Sequence, residues 1–167
     1  MGIKEKIKQY WEQRKVIKKN KQLLKEYPFL QMDDFGTDKI LYDKTWLDLI
    51  PDGWKKIALV HFQAIRKILE NNNALPYLKI IEVKEKYGRL RIYYHFPNCP
   101  IYEQNKKWLD DIDRQFEMLE KDSWNICIYC GKPAQFQTDG WITPICEDCK
   151  KEFNTEYPNL EIKAKED

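Results

Sequence analysis

Residues 3 to 26 contain no Gly or Pro, and Ile3, Ile7, Tyr10, Ile17 and Leu24 recur at close to seven-residue spacing, which predicts a helix with one thin apolar stripe. Arg14 and Lys21 fall on the same stripe, so the pattern does not make a coiled coil. Pro28 drives Tyr27 out of the α region and ends the helix. The stretch to Trp46 is irregular or carries a short strand around Lys39 to Tyr42. A second helix is expected from Asp52, a good N-cap residue, to the run Asn71 to Asn73. Its core face is Trp54, Ile57, Ala58, Ile65 and Ile68. His61 lies on that face and reads as a half-buried packing residue rather than a catalytic one, since no carboxylate or nucleophile stands beside it in sequence.

Period two replaces period 3.6 at Leu78. The segment "LKIIEVKEKYGRLRIYYHF" predicts a β-hairpin about Tyr87-Gly88. An even loop there pairs Val83 with Ile92, Ile81 with Tyr94, Lys84 with Arg91 and Glu82 with Tyr93. The register sorts Ile81, Val83, Leu90, Ile92, Tyr94 and Phe96 onto an apolar face, and Glu82, Lys84, Lys86, Arg89, Arg91, Tyr93 and His95 onto a polar one. A third helix follows from about Ile101 to Lys121, with Trp108, Leu109, Ile112, Phe116 and Leu119 inward and an acidic outer face. Between Glu103 and Asp122 seven acids face four bases, which argues against nucleic acid on this helix. The end of the chain after Phe153 reads as a frayed, charged tail.

These elements predict an α+β protein: helices packed on a β-hairpin or small antiparallel sheet, preceded by a basic helix and followed by a zinc ribbon. The expected divisions are 1–26 for the basic helix, 27–122 for the α+β body, 123–153 for the ribbon and 154–167 for the tail. At 167 residues the chain is long enough to bury a core without disulfides. The opening residues show neither an apolar signal core nor a membrane-spanning run, and Lys6 stands where a myristoylation signal needs Ser or Thr. The expectation is a cytoplasmic protein with no membrane partner.

Charge is uneven along the chain. Nine basic side chains against Glu5, Glu12 and Glu26 put +6 on residues 1 to 27, and a total of +2 leaves the remainder at −4. Any footprint for an anionic partner therefore centres on the first helix, at Lys8, Arg14, Lys15, Lys18 and Lys19. Three roles compete for this helix: a solvated edge, a nucleic-acid arm and a partner-docking helix.

Four of the five cysteines form two Cys-x-x-Cys pairs, Cys127 with Cys130 and Cys146 with Cys149, fifteen residues apart. Thiolates suit one tetrahedral Zn²⁺, and a two-residue gap lets each pair turn both sulfurs to the ion. Gly131 supplies backbone freedom after the first pair, and the residues between the pairs read as two short strands about an Asp139-Gly140 turn. Redox pairs usually come singly on a βαβ background, which this chain lacks. A four-thiolate shell is closed, so the expected zinc is structural and no metal catalysis occurs there. Cys99, between prolines, is a bystander.

Three segments carry a resemblance: "EYPFLQMDDFG" with "PDGWKKI", then "VKEKYGRLRIYY", then "CIYCGKPAQFQTDGWITPICEDC". Together, over Tyr27 to Cys149, they resemble a family of uncharacterised small proteins of bacteria and their phages. The resemblance implies the fold and the metal and supplies no catalytic residue. Its phage setting, with a composition typical of an AT-rich genome, implies a protein that blocks or redirects a host protein or defence system.

Three functions follow as expectations. The first is a non-enzymatic binding protein that modulates a macromolecular partner, most readily a protein, through Lys84, Lys86, Tyr87, Arg89, Arg91 and Trp141. The second is a nucleic-acid-binding accessory protein using the hairpin's basic face and the first helix. The third is a carboxylate-dependent enzyme built on Asp33, Asp34, Asp38, Asp43, Asp48 and Asp52, whose spacing matches no hydrolase or EF-hand pattern and is largely explained by turns and caps. No small-molecule substrate is evident.

Overall fold

The structure is a computed structural model that describes residues 2–33, 39–101 and 106–165. Helix α1 spans Ile3–Glu26. Every residue from 2 to 16 is exposed, and burial begins only in the second half of the helix. There Asn20, 4% exposed, donates its side-chain amide to the Tyr42 carbonyl. The helix ends at Tyr27, whose φ of −130° and ψ of 72° are what the following Pro28 imposes.

A short 3₁₀ turn leads into β1 (Gln31–Asp33), which pairs antiparallel with β2 (Ile40–Thr45). Helix α2 spans Asp52–Asn71. Its Trp54, Ala58 and Ile65 are fully buried, with Ile57 and Ile68 packed at the margin; Phe62 and Leu69 complete the face. Pro51, not Asp52, takes the N-cap, because its extended conformation already sets the chain's entry. Asp52 becomes the first helical residue and pairs with Lys55.

Strands β3 (Lys79–Lys86) and β4 (Arg89–His95) form the hairpin. The expected pairs Val83–Ile92, Lys84–Arg91 and Glu82–Tyr93 are present, but Tyr94 faces Ile80 instead of Ile81. A bulge at Ile81 explains the change: one extra residue shifts the earlier part of β3 by one. Ile80 turns inward at 7% exposure, and Ile81 is 55% exposed on the outside. Helix α3 (Lys107–Trp124) starts later than expected and ends three residues later. Ile101 sits in a turn after Pro100, and residues 102–105 lie outside the described ones. Its inward residues are those expected, with Ile112 and Leu119 fully buried between α2 and β4.

The C-terminal ribbon contains β5 (Phe136–Thr138), β6 (Pro144–Ile145), α4 (Glu147–Glu156) and β7 (Ile162–Ala164), in sheet order β6-β5-β7. The tail does not fray as expected: β7 pairs with β5 along Phe136–Ala164, Gln137–Lys163 and Thr138–Ile162. Lys165 then donates to the Trp124 carbonyl at 2.6 Å and lies over the Trp124 ring, tying the tail to the end of α3. Among the described residues no helix is long and apolar enough to cross a membrane.

Candidate metal centre and exposed surfaces

Cys127 and Cys130 stand on a tight turn. The Cys127 N–H donates to Lys132 and the Gly131 N–H donates back to Cys127, which curls the chain so that both sulfurs face inward. Gly131 carries a φ of +77° to close this loop, a conformation that costs a glycine little. The second pair lies on a helix start: Cys146 is the N-cap of α4, and its Sγ accepts from the Cys149 N–H.

The β5–β6 hairpin carries one pair to the other, and the ligand atoms of Cys127, Cys130, Cys146 and Cys149 all lie within 4.8 Å of one another. In tetrahedral zinc thiolates sulfurs are separated by about 3.8 Å, given a metal–sulfur bond near 2.3 Å. Cys130 and Cys146 are already 3.5 Å apart, so the four sulfurs fit a single ion.

Cys127 is fully buried and Cys146 nearly so, whereas Cys130 is exposed. The thiols of Cys130 and Cys146 share a hydrogen bond. Burial, reinforced by the neighbouring thiols, pushes the Cys149 thiol far up. Burial also raises Cys146, but the Cys149 N–H and the surrounding thiols outweigh it and bring its value down. A divalent cation releases the thiol protons by compensating the thiolate charge. Lys132 bridges to Asp148 at 2.6 Å and clamps the first turn to α4, and this bond holds the Asp148 carboxyl below the usual range.

The first cysteine turn is seated on the body. The Gly53 N–H at the start of α2 donates to the Ile128 carbonyl at 2.9 Å, and the Trp54 indole donates to Ile126 at 2.9 Å. The "DGW" segment and the Cys-x-x-Cys-Gly segment are therefore two halves of one contact.

The tip of the β3–β4 hairpin makes a second contact with the ribbon. Tyr87 and Gly88 have φ of 52° and 75°, the pair of left-handed residues that a two-residue turn demands. Gly88 lies so close to Trp124 that a Cβ would come within 2.7 Å of its ring. Glu85 accepts from the Gly88 N–H at 2.6 Å and from the Trp141 indole at 3.1 Å. Tyr87 and Trp141 are left 66% and 76% exposed, on either side of a cleft of about 240 Å³ whose wall is mostly apolar.

The other hairpin residues have partners of their own. Lys84 bonds Glu82 at 2.7 Å and lies over Tyr93, and Arg91 bonds Glu120 at 3.0 Å. Lys86 lies over the Tyr87 ring, and Arg89 stacks on Trp124. On α1, Arg14, Lys15, Lys18, Lys21 and Lys25 share one groove with Trp11, while Lys8 and Lys19 lie off it.

Among the described residues the aspartates of 33–52 form no group of three or more that could hold a metal ion, and the four cysteines are the only such group. Asp48 caps the turn at Thr45 at 2.7 Å; Asp34 and Asp38 lie outside the described residues.

The fold brings together one pair that sequence reasoning missed. His61 is 4% exposed and is held by Gln115 at Nδ1 and Asp122 at Nε2, each at 3.0 Å. Both partners come from α3, 54 and 61 residues away, so nothing local announces them. Both ring nitrogens are occupied, which makes His61 a fastener between α2 and α3.

The chain is an α+β protein with a C-terminal four-cysteine ribbon positioned to hold one metal ion. Comparison with family models, with curated proteins and with solved structures gave no match.

Proposed function

We propose that this is a non-enzymatic zinc-ribbon protein that engages and modulates a protein partner through the ledge formed by Tyr87 and Trp141. The observation that carries the reading is the exposure of these two rings on adjoining turns, one from the hairpin and one from the ribbon. Large aromatic rings left in solvent cost the fold apolar burial, and such rings anchor protein interfaces. The all-cysteine donor set suits Zn²⁺, and four protein ligands leave no position for water or substrate, so the metal's role is structural. The host-directed action implied by the family resemblance belongs to the same reading.

Nucleic-acid binding is less well supported. Lys84 and Arg91 are already neutralised by Glu82 and Glu120, and Glu85 forms part of the cleft wall. The test is affinity capture from the native host with wild-type protein and with a Tyr87→Ala, Trp141→Ala double variant of equal zinc content. A protein recovered stoichiometrically by the wild type and lost with the variant supports the reading. Equal recovery by both, or salt-sensitive binding of nucleic acid in its place, refutes it.

A further inference from the structure

The first fourteen residues of helix α1, 3 to 16, are all exposed. Ile3, Ile7, Tyr10 and Trp11 follow the i, i+4, i+7, i+8 spacing of a helix that lies in a groove, and they are 78%, 52%, 53% and 56% exposed. Arg14 and Lys18 close this stripe, so its apolar part is only about two and a half turns long.

The body offers a groove of matching chemistry. Strand β4 pairs with β3 alone among the described residues, and two adjoining depressions of about 670 and 350 Å³ run between its open edge and α3. Ile92, Tyr94, Leu109 and Phe116 contribute apolar floor. Asp110, Asp113, Glu117 and Glu120 form the rim, against two cations, Arg91 and Lys106.

Charge and length both match. The free half of α1 carries Lys4, Lys6, Lys8, Arg14 and Lys15 against Glu5 and Glu12. At 1.5 Å per residue its fourteen residues reach about 21 Å, and the seven residues of β4 at 3.3 Å each run for about 23 Å.

We propose that two copies of this chain pair by laying the projecting half of α1 of each into the β4–α3 groove of the other. The exchange is reciprocal, so the assembly closes as a two-fold dimer and uses up both surfaces. It leaves the Tyr87–Trp141 ledge free, and it stands or falls separately from the reading of that ledge.

Sedimentation velocity on the metal-loaded full chain, over a concentration series at low and high salt, is the test. The wild type is expected to dimerise, and less readily at high salt. Ile7→Glu or Trp11→Glu on the helix should weaken association at least about thirtyfold, and so should Glu117→Lys on the rim. Circular dichroism and zinc content should match the wild type, because all three side chains are exposed. Mixing W11E, whose groove is intact, with E117K, whose helix is intact, should restore a heterodimer through the one contact still whole. A wild type that stays monomeric throughout overturns the proposal. A dimer indifferent to the helix variants, or to E117K, overturns it as well.

Discussion

A Cβ placed on Gly53 would stand 2.0 Å from the backbone carbonyl oxygen of Cys127. No side chain fits there, so the first turn of α2 and the first cysteine turn of the ribbon meet backbone to backbone. The metal centre is thus fastened to the protein's main helix, whose next residue, Trp54, is itself fully buried. An ion held by the four cysteines would therefore also brace one wall of the core.

Gly53→Ala should therefore cost about 3 kcal/mol or more, since the clash is with backbone that cannot rotate away. Urea unfolding of the zinc-loaded protein measures it. A loss below about 1 kcal/mol would mean that the ribbon can lift off α2 freely.

Tyr87→Asn should separate stability from binding. Asn accepts a positive φ more readily than Tyr, so the turn should gain about 0.5 kcal/mol. The exposed ring is lost at the same time, and partner capture should fall. A variant that is more stable yet captures the partner unchanged would remove Tyr87 from the interface.

His61→Leu removes a buried ring bonded at both nitrogens and strands Gln115 at the α2–α3 seam. The expected loss is about 2 kcal/mol. Asp122→Ala should cost less, because the Asp122 side chain is 46% exposed and water replaces the lost bond. Equal losses in denaturant unfolding would mean that the Asp122 bond alone carries as much as the whole buried ring.

Much of this architecture was legible in the sequence, where local chemistry decides it. The breaker Pro28 and the Gly-free run before it bound α1, and the Tyr87-Gly88 turn set most of the hairpin register. Cysteine spacing alone identified the four ligands. What escaped was decided by distant partners. The bulge at Ile81 turns Ile80 into the core, on a strand that packs against the 3₁₀ turns Pro28–Leu30 and Trp46–Leu49, distant in sequence. The tail becomes β7 because β5 has an open edge and Trp124 offers Lys165 a ring and a carbonyl; its charged composition conceals both. His61 lacked a neighbour in sequence and gained two across the fold. Gly53 read only as part of a helix entry, since the cysteine turn that forbids a side chain there lies more than seventy residues away.

A metal bound at the four cysteines should hold the body together as well as the ribbon, because the first cysteine turn is bonded to α2. Amide hydrogen exchange with and without a zinc chelator tests it most directly, read at Gly53, whose N–H is bonded to Ile128. The expected result is that chelation removes protection at Gly53 together with that of the ribbon amides, and lowers the midpoint of a single unfolding transition. Ribbon amides that lose protection while Gly53 and the unfolding midpoint stay unchanged would contradict it.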